Sequence, residues 1–188
     1  MKIHNTPLAD LMLVETTSIE DERGRFVRVF CDSECADLRQ NLHWKQINVS
    51  ATSHKGTVRG MHFQHPPAAE AKLIRCLRGR VFDVAVDLRA GSPTFLHWHG
   101  VELSENEPMQ FFLPEGFAHG FQALTDDVQL LYLHTAAWSR QHEVAVHHDD
   151  PALSIRWPLP ITRVSQKDRN TLLLDDKFTG IHLNRIQP

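Results

Sequence analysis

The sequence reads KLIRCLRGRVFDVAVDL at residues 72–88, a stretch that largely follows the two-residue period of β-strands. In its second half, Asp83, Ala85 and Asp87 fall on one face and the larger apolar residues fall on the other. The first half alternates less strictly, and RGR at 78–80 is typical of a turn into the next strand. The stretch therefore predicts two consecutive strands joined by a short turn.

The sequence predicts more strands on both sides of this stretch. VQLLYLH at 128–134 places Tyr132 and His134 on the same face as two apolar residues, and PEG at 114–116 indicates a turn after QFFL. RGMHFQ at 59–64 is a poor helix former and is better interpreted as a strand, with His62 and Gln64 on one face. Many short strands between Gly and Pro turns predict an all-β sandwich or barrel, whose lumen can hold a small ligand.

Helix signals are few, and composition is that of an ordinary globular protein. CDSECADLRQN at 31–41 allows a short helix with Asp32 or Ser33 as its cap. At 188 residues, with 41% apolar and 23% charged residues, the chain is expected to form one domain, residues 1–188. A net charge of -3 argues against a nucleic-acid or anionic-membrane partner, and no apolar stretch is long enough to span a bilayer. Three cysteines are not a disulfide framework, which favours the cytoplasm.

Seven polar residues lie in or beside strand-like or turn segments where an ordinary core does not need them. Each has an unremarkable interpretation when taken singly, because a lone histidine is usually a surface or hydrogen-bonded core residue and a tyrosine an amphipathic core aromatic. They are Arg59, His62, Gln64, Lys72, His119, Tyr132 and Asp168.

The motifs that carry these residues resemble those of the dTDP-4-dehydrorhamnose 3,5-epimerase family, in the same order. They are DERGRF (21–26), QINVS (46–50), RGMHFQ (59–64), KLIRCLRGRVFDVAVDLRAGSPTF (72–95), PEGFAHGF (114–121), YLHTAAW (132–138), DDPALSIRWP (149–158) and VSQKD (164–168). The resemblance implies a cupin-type β-jelly roll (a double-stranded β-helix) with a few short helices, and a homodimer. It also implies a nucleotide-diphosphate 4-keto-6-deoxy sugar as substrate, with rhamnose formation for surface polysaccharide as the default pathway.

The family's chemistry assigns a role to four of the residues. The substrate ketone acidifies the C–H bonds on both neighbouring carbons, so that epimerisation proceeds through an enolate. By resemblance His62 is the base, Asp168 orients its ring, and Lys72 places positive charge beside the developing oxyanion. Tyr132 returns a proton from the opposite face. The resemblance implies neither a metal nor an organic cofactor, because the ketone itself is the electron sink.

The resemblance also implies a set of substrate-binding residues. Arg23 and Arg59 correspond to diphosphate-binding arginines, and the strand that carries the first can reach the partner subunit's site. His119 corresponds to a pocket histidine with a positioning role. The full set is Arg23, Phe26, Arg28, Gln46, Asn48, Arg59, His119 and Trp138.

Two of these positions depart from the family pattern. Trp138 stands where a tyrosine usually stacks on the ligand, and an indole can still stack. Arg28 stands where the family usually has glutamate, and a guanidinium cannot accept the N–H of thymine. Arg28 therefore predicts weaker selectivity for thymidine or a preference for another base, unless it swings into solvent or pairs with a nearby acid such as Glu22.

Three other functions remain open from the sequence. A metal-binding cupin, an oxygenase or sensor, needs a His-x-His pair with an acidic partner. HWH at 97–99 has that spacing but no evident acid, and an exposed polar face around Trp98 is the simpler interpretation. A sugar 3,4-ketoisomerase needs no opposite-face acid, and a non-catalytic binder does not need the four catalytic candidates together. Whether one or both carbons are epimerised, and which nucleotide is carried, also stays open.

Overall fold

The regular secondary structure of the chain is almost entirely β-strand. A computed structural model describes residues 1–35, 38 and 42–183. The elements within these residues are β1 (Lys2–Asn5), β2 (Met12–Glu15), β3 (Ser18–Asp21), β4 (Gly24–Val27), β5 (Gln46–Thr52), β6 (Thr57–Gln64), β7 (Lys72–Arg78), β8 (Arg80–Asp87), β9 (Trp98–Ser104), β10 (Met109–Leu113), β11 (Phe117–Ala123), β12 (Val128–His134), β13 (Glu143–Ala145), β14 (Arg163–Val164) and α1 (Gln166–Arg169).

Two sheets form the body of the fold. The first has six strands in the order β1-β2-β10-β7-β12-β5, and the second has the order β13-β6-β11-β8-β9. Pairing is antiparallel throughout both paths, and β14 adds to β6 in parallel. A separate two-stranded sheet joins β3 and β4. The prediction of an all-β, cupin-type jelly roll is confirmed.

The main core lies between the two sheets. Ile74 of β7, Phe111 of β10 and Leu130 of β12 meet Ala85 of β8 and Phe121 of β11 there, all buried. Burying such apolar side chains stabilises a fold by roughly 1.5–3 kcal/mol each. The interior of the fold is therefore apolar along most of its length, and the polar residues described below are concentrated at one end.

Strand β8 buries both of its faces. The face that carries Ala85 points between the sheets, whereas Val84 and Val86 pack against a second cluster that includes Val146 and Leu153. The alternation predicted for residues 82–88 is therefore correct. The turn at 78–80 is also present, but β7 and β8 do not pair, since the chain crosses at Gly79 from the first sheet to the second.

The structure corrects one local prediction. Trp98 does not stand on an exposed polar face, because its ring packs edge-on against Phe82, with 6.5 Å between ring centroids. The short helix predicted over 31–41 falls partly outside the described residues, and the described part forms a turn at residues 32–34. The helix α1 was not predicted; Ser165 caps it by accepting a hydrogen bond from the Asp168 backbone N–H at 3.0 Å.

None of the helices in the described residues has the length and apolar character needed to cross a membrane.

Candidate active site

A cavity of about 260 Å³ opens at one end of the core, between the two sheets. The first sheet contributes side chains from β5, β7 and β12, and the second contributes side chains from β6, β11 and β13. The polar and aromatic residues that line it are Asn48, Ser50, Arg59, His62, Gln64, Glu70, Lys72, His119, Tyr132, His134, Trp138 and Glu143.

Strand register brings these side chains to the same level. His62 of β6 lies opposite His119 of β11, and Lys72 of β7 lies opposite His134 of β12. Tyr132 precedes His134 by two positions, so that both side chains fall on the cavity face of β12. Three of the proposed catalytic residues and the pocket histidine thus come from four strands of two facing sheets.

Two glycines allow β6 and β11 to approach closely beside the site. A Cβ added to Gly60 would lie 2.5 Å from the Gly120 Cα, and a Cβ added to Gly120 would lie 2.5 Å from the Met61 sulfur. Gly60 also has a φ of +137°, which other residues rarely adopt. The glycines of RGMHFQ and AHGF therefore let the strands that carry His62 and His119 lie side by side.

His62 and Asp168 form a hydrogen-bonded pair at the edge of the cavity. His62 Nε2 lies 2.8 Å from Asp168 Oδ1, and Asp168 is buried. Burial opposes ionisation of Asp168, but the hydrogen bond and charge of His62, with lesser help from the Gly60 N–H and the Ser165 hydroxyl, hold the pKa of Asp168 below its usual range. An ionised carboxylate only accepts hydrogen bonds, so His62 donates from Nε2 and keeps Nδ1 as its lone-pair nitrogen.

Lys72 is buried beside an acidic partner. Its ammonium donates to the His62 carbonyl oxygen at 3.2 Å and lies 3.3 Å from Glu70 Oε1. The other carboxylate oxygen of Glu70 lies 3.0 Å from His134 Nδ1. A buried ammonium is expensive unless it is paired, and Glu70 supplies the compensating charge.

The Tyr132 side chain is partly buried, and this burial raises the pKa of the phenol above its usual value. A hydrogen bond with the Ser50 hydroxyl at 3.3 Å offsets that shift only in part. The phenol therefore stays protonated at neutral pH and is able to donate a proton into the cavity.

His119 pairs with a second buried carboxylate. Its Nε2 lies 2.8 Å from Asp83 Oδ1, and burial lowers the pKa of His119 in spite of that neighbour. Its ring contacts Tyr132 edge-on, with 5.8 Å between centroids. His119 is thus placed as a neutral, fixed ring behind the proposed acid.

Other predicted binding residues lie at the rim of the cavity. Asn48, Arg59 and Trp138 line it, and Gln46 fixes Trp138 by accepting a hydrogen bond from its backbone N–H at 2.9 Å. Gln64 lines the wall as well, but its amide bonds three backbone groups, of Ala68, Ala137 and Ser139. An amide that is already engaged in this way is not available as a metal ligand.

Three predicted binding residues lie away from the cavity of their own chain. Arg23 occupies the turn between β3 and β4, where it pairs with Asp21 at 2.5 Å, and the Phe26 side chain projects from β4 with 66% of its surface exposed. Arg28 pairs with Glu34 rather than Glu22.

Three cavity residues were not singled out from the sequence, Glu70, His134 and Glu143, and neither was Asp83, which bonds His119 from outside the cavity lining. The sequence pattern could have identified Asp83 and His134 as inward-facing polar residues, because each shares a strand face with residues of the core. Glu70 lies before β7 and Glu143 begins the three-residue β13, where no period is readable. Within the described residues no three His, Cys, Asp or Glu side chains converge as a metal site requires.

A carboxylate-oriented imidazole, a buried ammonium and a partly buried phenol face one cavity inside a jelly roll. Such groups can take up and donate protons, and the class of protein that the fold and the site indicate is a cupin-type enzyme.

Comparisons with known proteins agree. The family profile described as dTDP-4-dehydrorhamnose 3,5-epimerase matches residues 5–176. The dTDP-4-dehydrorhamnose 3,5-epimerase of Sinorhizobium fredii is 41% identical over 169 residues, covering 89% of this chain and 87% of that protein. A dTDP-4-dehydrorhamnose 3-epimerase of Streptomyces niveus is 40% identical over 155 residues, covering 82% of this chain and 74% of that protein. The crystal structure of a dTDP-6-deoxy-D-glucose-3,5-epimerase from Legionella pneumophila in complex with dTDP-4-keto-L-rhamnose matches with a TM-score of 0.90 and 37% identity, covering 97% and 98%.

The chain therefore belongs to the dTDP-4-dehydrorhamnose 3,5-epimerase family, and it is an isomerase that acts on nucleotide sugars.

Proposed function

We propose that the protein epimerises a dTDP-linked 4-keto-6-deoxyhexose at C3 and C5 through an enolate. The observation that carries this proposal is the placement of His62 and Tyr132 on facing sheets, around one cavity that also holds Lys72. Inversion at a carbon needs a base on one face of the sugar ring and an acid on the other. Two proton-transfer groups on opposite walls meet that need.

The hydrogen bonds described above support one direction for each proton transfer. His62 Nδ1 takes the proton from carbon, and Asp168 stabilises the imidazolium that results. The electron pair moves onto the ketone oxygen, where the Lys72 ammonium stabilises the enolate. Tyr132 then donates its phenolic proton to the opposite face of the same carbon, and solvent restores the proton of Tyr132 while His62 releases its own.

The nucleotide is proposed to be thymidine diphosphate. Arg28 is engaged by Glu34, which supports the interpretation that it does not read the base. Both 3,5-epimerases reported above carry the dTDP name, and Trp138 at the cavity rim offers a flat surface for stacking. The three free cysteines suit the reducing cytoplasm, where we place the enzyme.

Epimerisation at C3 alone is the second candidate. It is favoured by the Streptomyces niveus relative, which is named a 3-epimerase and is nearly as similar as the first relative.

Proton NMR in heavy water tests the function and separates these candidates. The purified protein is incubated with 4-keto-6-deoxyglucose linked to dTDP, CDP or GDP. We expect deuterium to enter at both C3 and C5 of the dTDP-linked sugar, with the two other nucleotides reacting at least tenfold more slowly, about 1.4 kcal/mol. Exchange at C3 only would establish the second candidate, and faster exchange with CDP or GDP would contradict the thymidine assignment. Exchange with none of the three would contradict the function itself.

The same proposal includes a homodimer whose partner supplies Arg23 and Phe26. Strand β5 lies at the end of the first sheet, and Ile47 and Val49 on its surface are 64% and 60% exposed. Ile19 and Phe26 project from the β3–β4 hairpin in the same way. Exposed apolar residues along an unpaired strand edge are typical of an interaction surface.

Size-exclusion chromatography with light scattering measures the oligomeric state. We expect a dimer for the wild type and a monomer for the double substitution of Ile47→Asp with Val49→Asp, because two carboxylates cannot be buried unpaired at an interface. Leu172→Asp is the matched control, since Leu172 is exposed outside the strands and its change should leave the dimer intact. A monomeric wild type, or a double variant that remains dimeric, would contradict the proposed interface.

A further inference from the structure

Glu70 connects two cavity residues that belong to different strands. Its Oε1 lies 3.3 Å from the Lys72 ammonium and its Oε2 lies 3.0 Å from His134 Nδ1. All three side chains line the cavity, and the Glu70 carboxylate is buried. With both oxygens engaged, Glu70 fixes the position of Lys72 relative to the His134 ring.

The charge of Glu70 determines which way the His134 hydrogen bond runs. Burial opposes ionisation, but the hydrogen bond with His134 and the charge of Lys72 outweigh it and lower the pKa of Glu70. An ionised carboxylate only accepts, so His134 donates from Nδ1. In the neutral ring, Nε2 then carries the lone pair and acts as an acceptor.

That acceptor has no protein partner in the described part of the chain. His134 makes a single side-chain hydrogen bond there, the one from Nδ1 to Glu70. Its ring lies nearly parallel to the Tyr132 ring, with 5.9 Å between centroids and 21° between planes, and that stacking limits its rotation. The site thus holds a third carboxylate-oriented imidazole besides His62–Asp168 and His119–Asp83. The proposed mechanism assigns no step to this third imidazole, His134.

We propose that His134, oriented by Glu70, determines specificity by accepting a hydrogen bond at Nε2 from the hydroxyl on the substrate carbon next to the ketone. The inference rests on the proposed function, in which Lys72 binds the ketone oxygen. Because Glu70 holds Lys72 and His134 together, a group that contacts His134 lies near that oxygen. Of the two carbons flanking the ketone, C5 bears the methyl group and the ring oxygen, and only C3 bears a hydroxyl. The cavity is therefore selective for 4-keto sugars that retain the C3 hydroxyl.

A two-by-two comparison of protein and substrate tests this contact. The substrates are dTDP-4-keto-6-deoxyglucose and its 3-deoxy analogue, and the readout is kcat/KM for deuterium exchange at C5, which both substrates can undergo. His134→Asn keeps a side-chain N–H for Glu70 but removes the acceptor at Nε2. We expect this variant to lose about 3- to 10-fold on the hydroxylated substrate, the usual value of one neutral hydrogen bond. On the 3-deoxy analogue the variant and the wild type should agree within about twofold.

His97→Asn is the matched control, because His97 is exposed and does not line the cavity. It should behave as the wild type with both substrates. An equal loss by His134→Asn on the two substrates would show a structural role for His134 and overturn the inference, and so would the absence of any loss. These outcomes leave the proposed function intact, whereas a wild-type protein that exchanges neither substrate contradicts the function and the inference together.

Discussion

His62→Ala is expected to abolish deuterium exchange at both C3 and C5 of the dTDP-4-keto sugar. His62 Nδ1 is the proposed base, and alanine leaves Asp168 without the ring that it orients. Loss of a general base costs about 10²–10⁴-fold in rate. The rate is measured by proton NMR in heavy water, and binding of dTDP by calorimetry should stay near normal, because His62 acts on the sugar and not on the diphosphate.

The matched control for that experiment is His54→Ala. His54 is exposed in the turn between β5 and β6 and does not line the cavity, so exchange should proceed at the wild-type rate. Exchange by His62→Ala at that same rate would remove His62 from the role of base. If the variant loses both dTDP binding and deuterium exchange, the alanine disturbs the cavity as a whole.

The strands could be predicted because their pattern is local. A period of two residues predicted β6, β8 and β12, including the cavity faces that carry His62 and Tyr132. Pairing is not local, so a turn at Gly79 could not reveal that β7 and β8 belong to different sheets. Helix α1 has four residues, which is too short for a 3.6-residue period to be visible, although its residue Asp168 was identified by resemblance.

The site was harder to predict where it depends on pairs of side chains. Asp83 appeared on the polar face of β8, but only the register of β8 and β11 brings it to His119. Glu70 lies outside any strand, and its role is visible only once Lys72 and His134 are seen beside it. Arg23 lies away from the cavity of its own chain, and only the proposed dimer would bring it to a cavity, that of a second copy.

Tyr132→Phe is expected to separate exchange from inversion. The variant keeps the partly buried ring and its contacts with His119 and His134 but lacks the phenolic proton. His62 can still remove a proton and return one from solvent to the same face. Deuterium should therefore enter with retained configuration, while formation of the inverted product falls by about 10²-fold or more, as expected for a lost general acid.

NMR distinguishes the two outcomes within one sample, because exchange removes the C3 or C5 proton signal, while the remaining sugar protons differ in chemical shift between the retained and the inverted sugar. Tyr132 is the one tyrosine of the sequence, so loss of the phenol can be verified by the absence of an alkaline absorbance change. Ser50→Ala removes the hydroxyl that bonds Tyr132 but leaves the phenolic proton, and it should invert the sugar with at most about a tenfold loss. Inversion by Tyr132→Phe at the full rate would show that water or another residue is the acid. If Tyr132→Phe loses both exchange and inversion, Tyr132 is needed before the enolate forms. The assignment of His62 as an independent base does not allow that outcome.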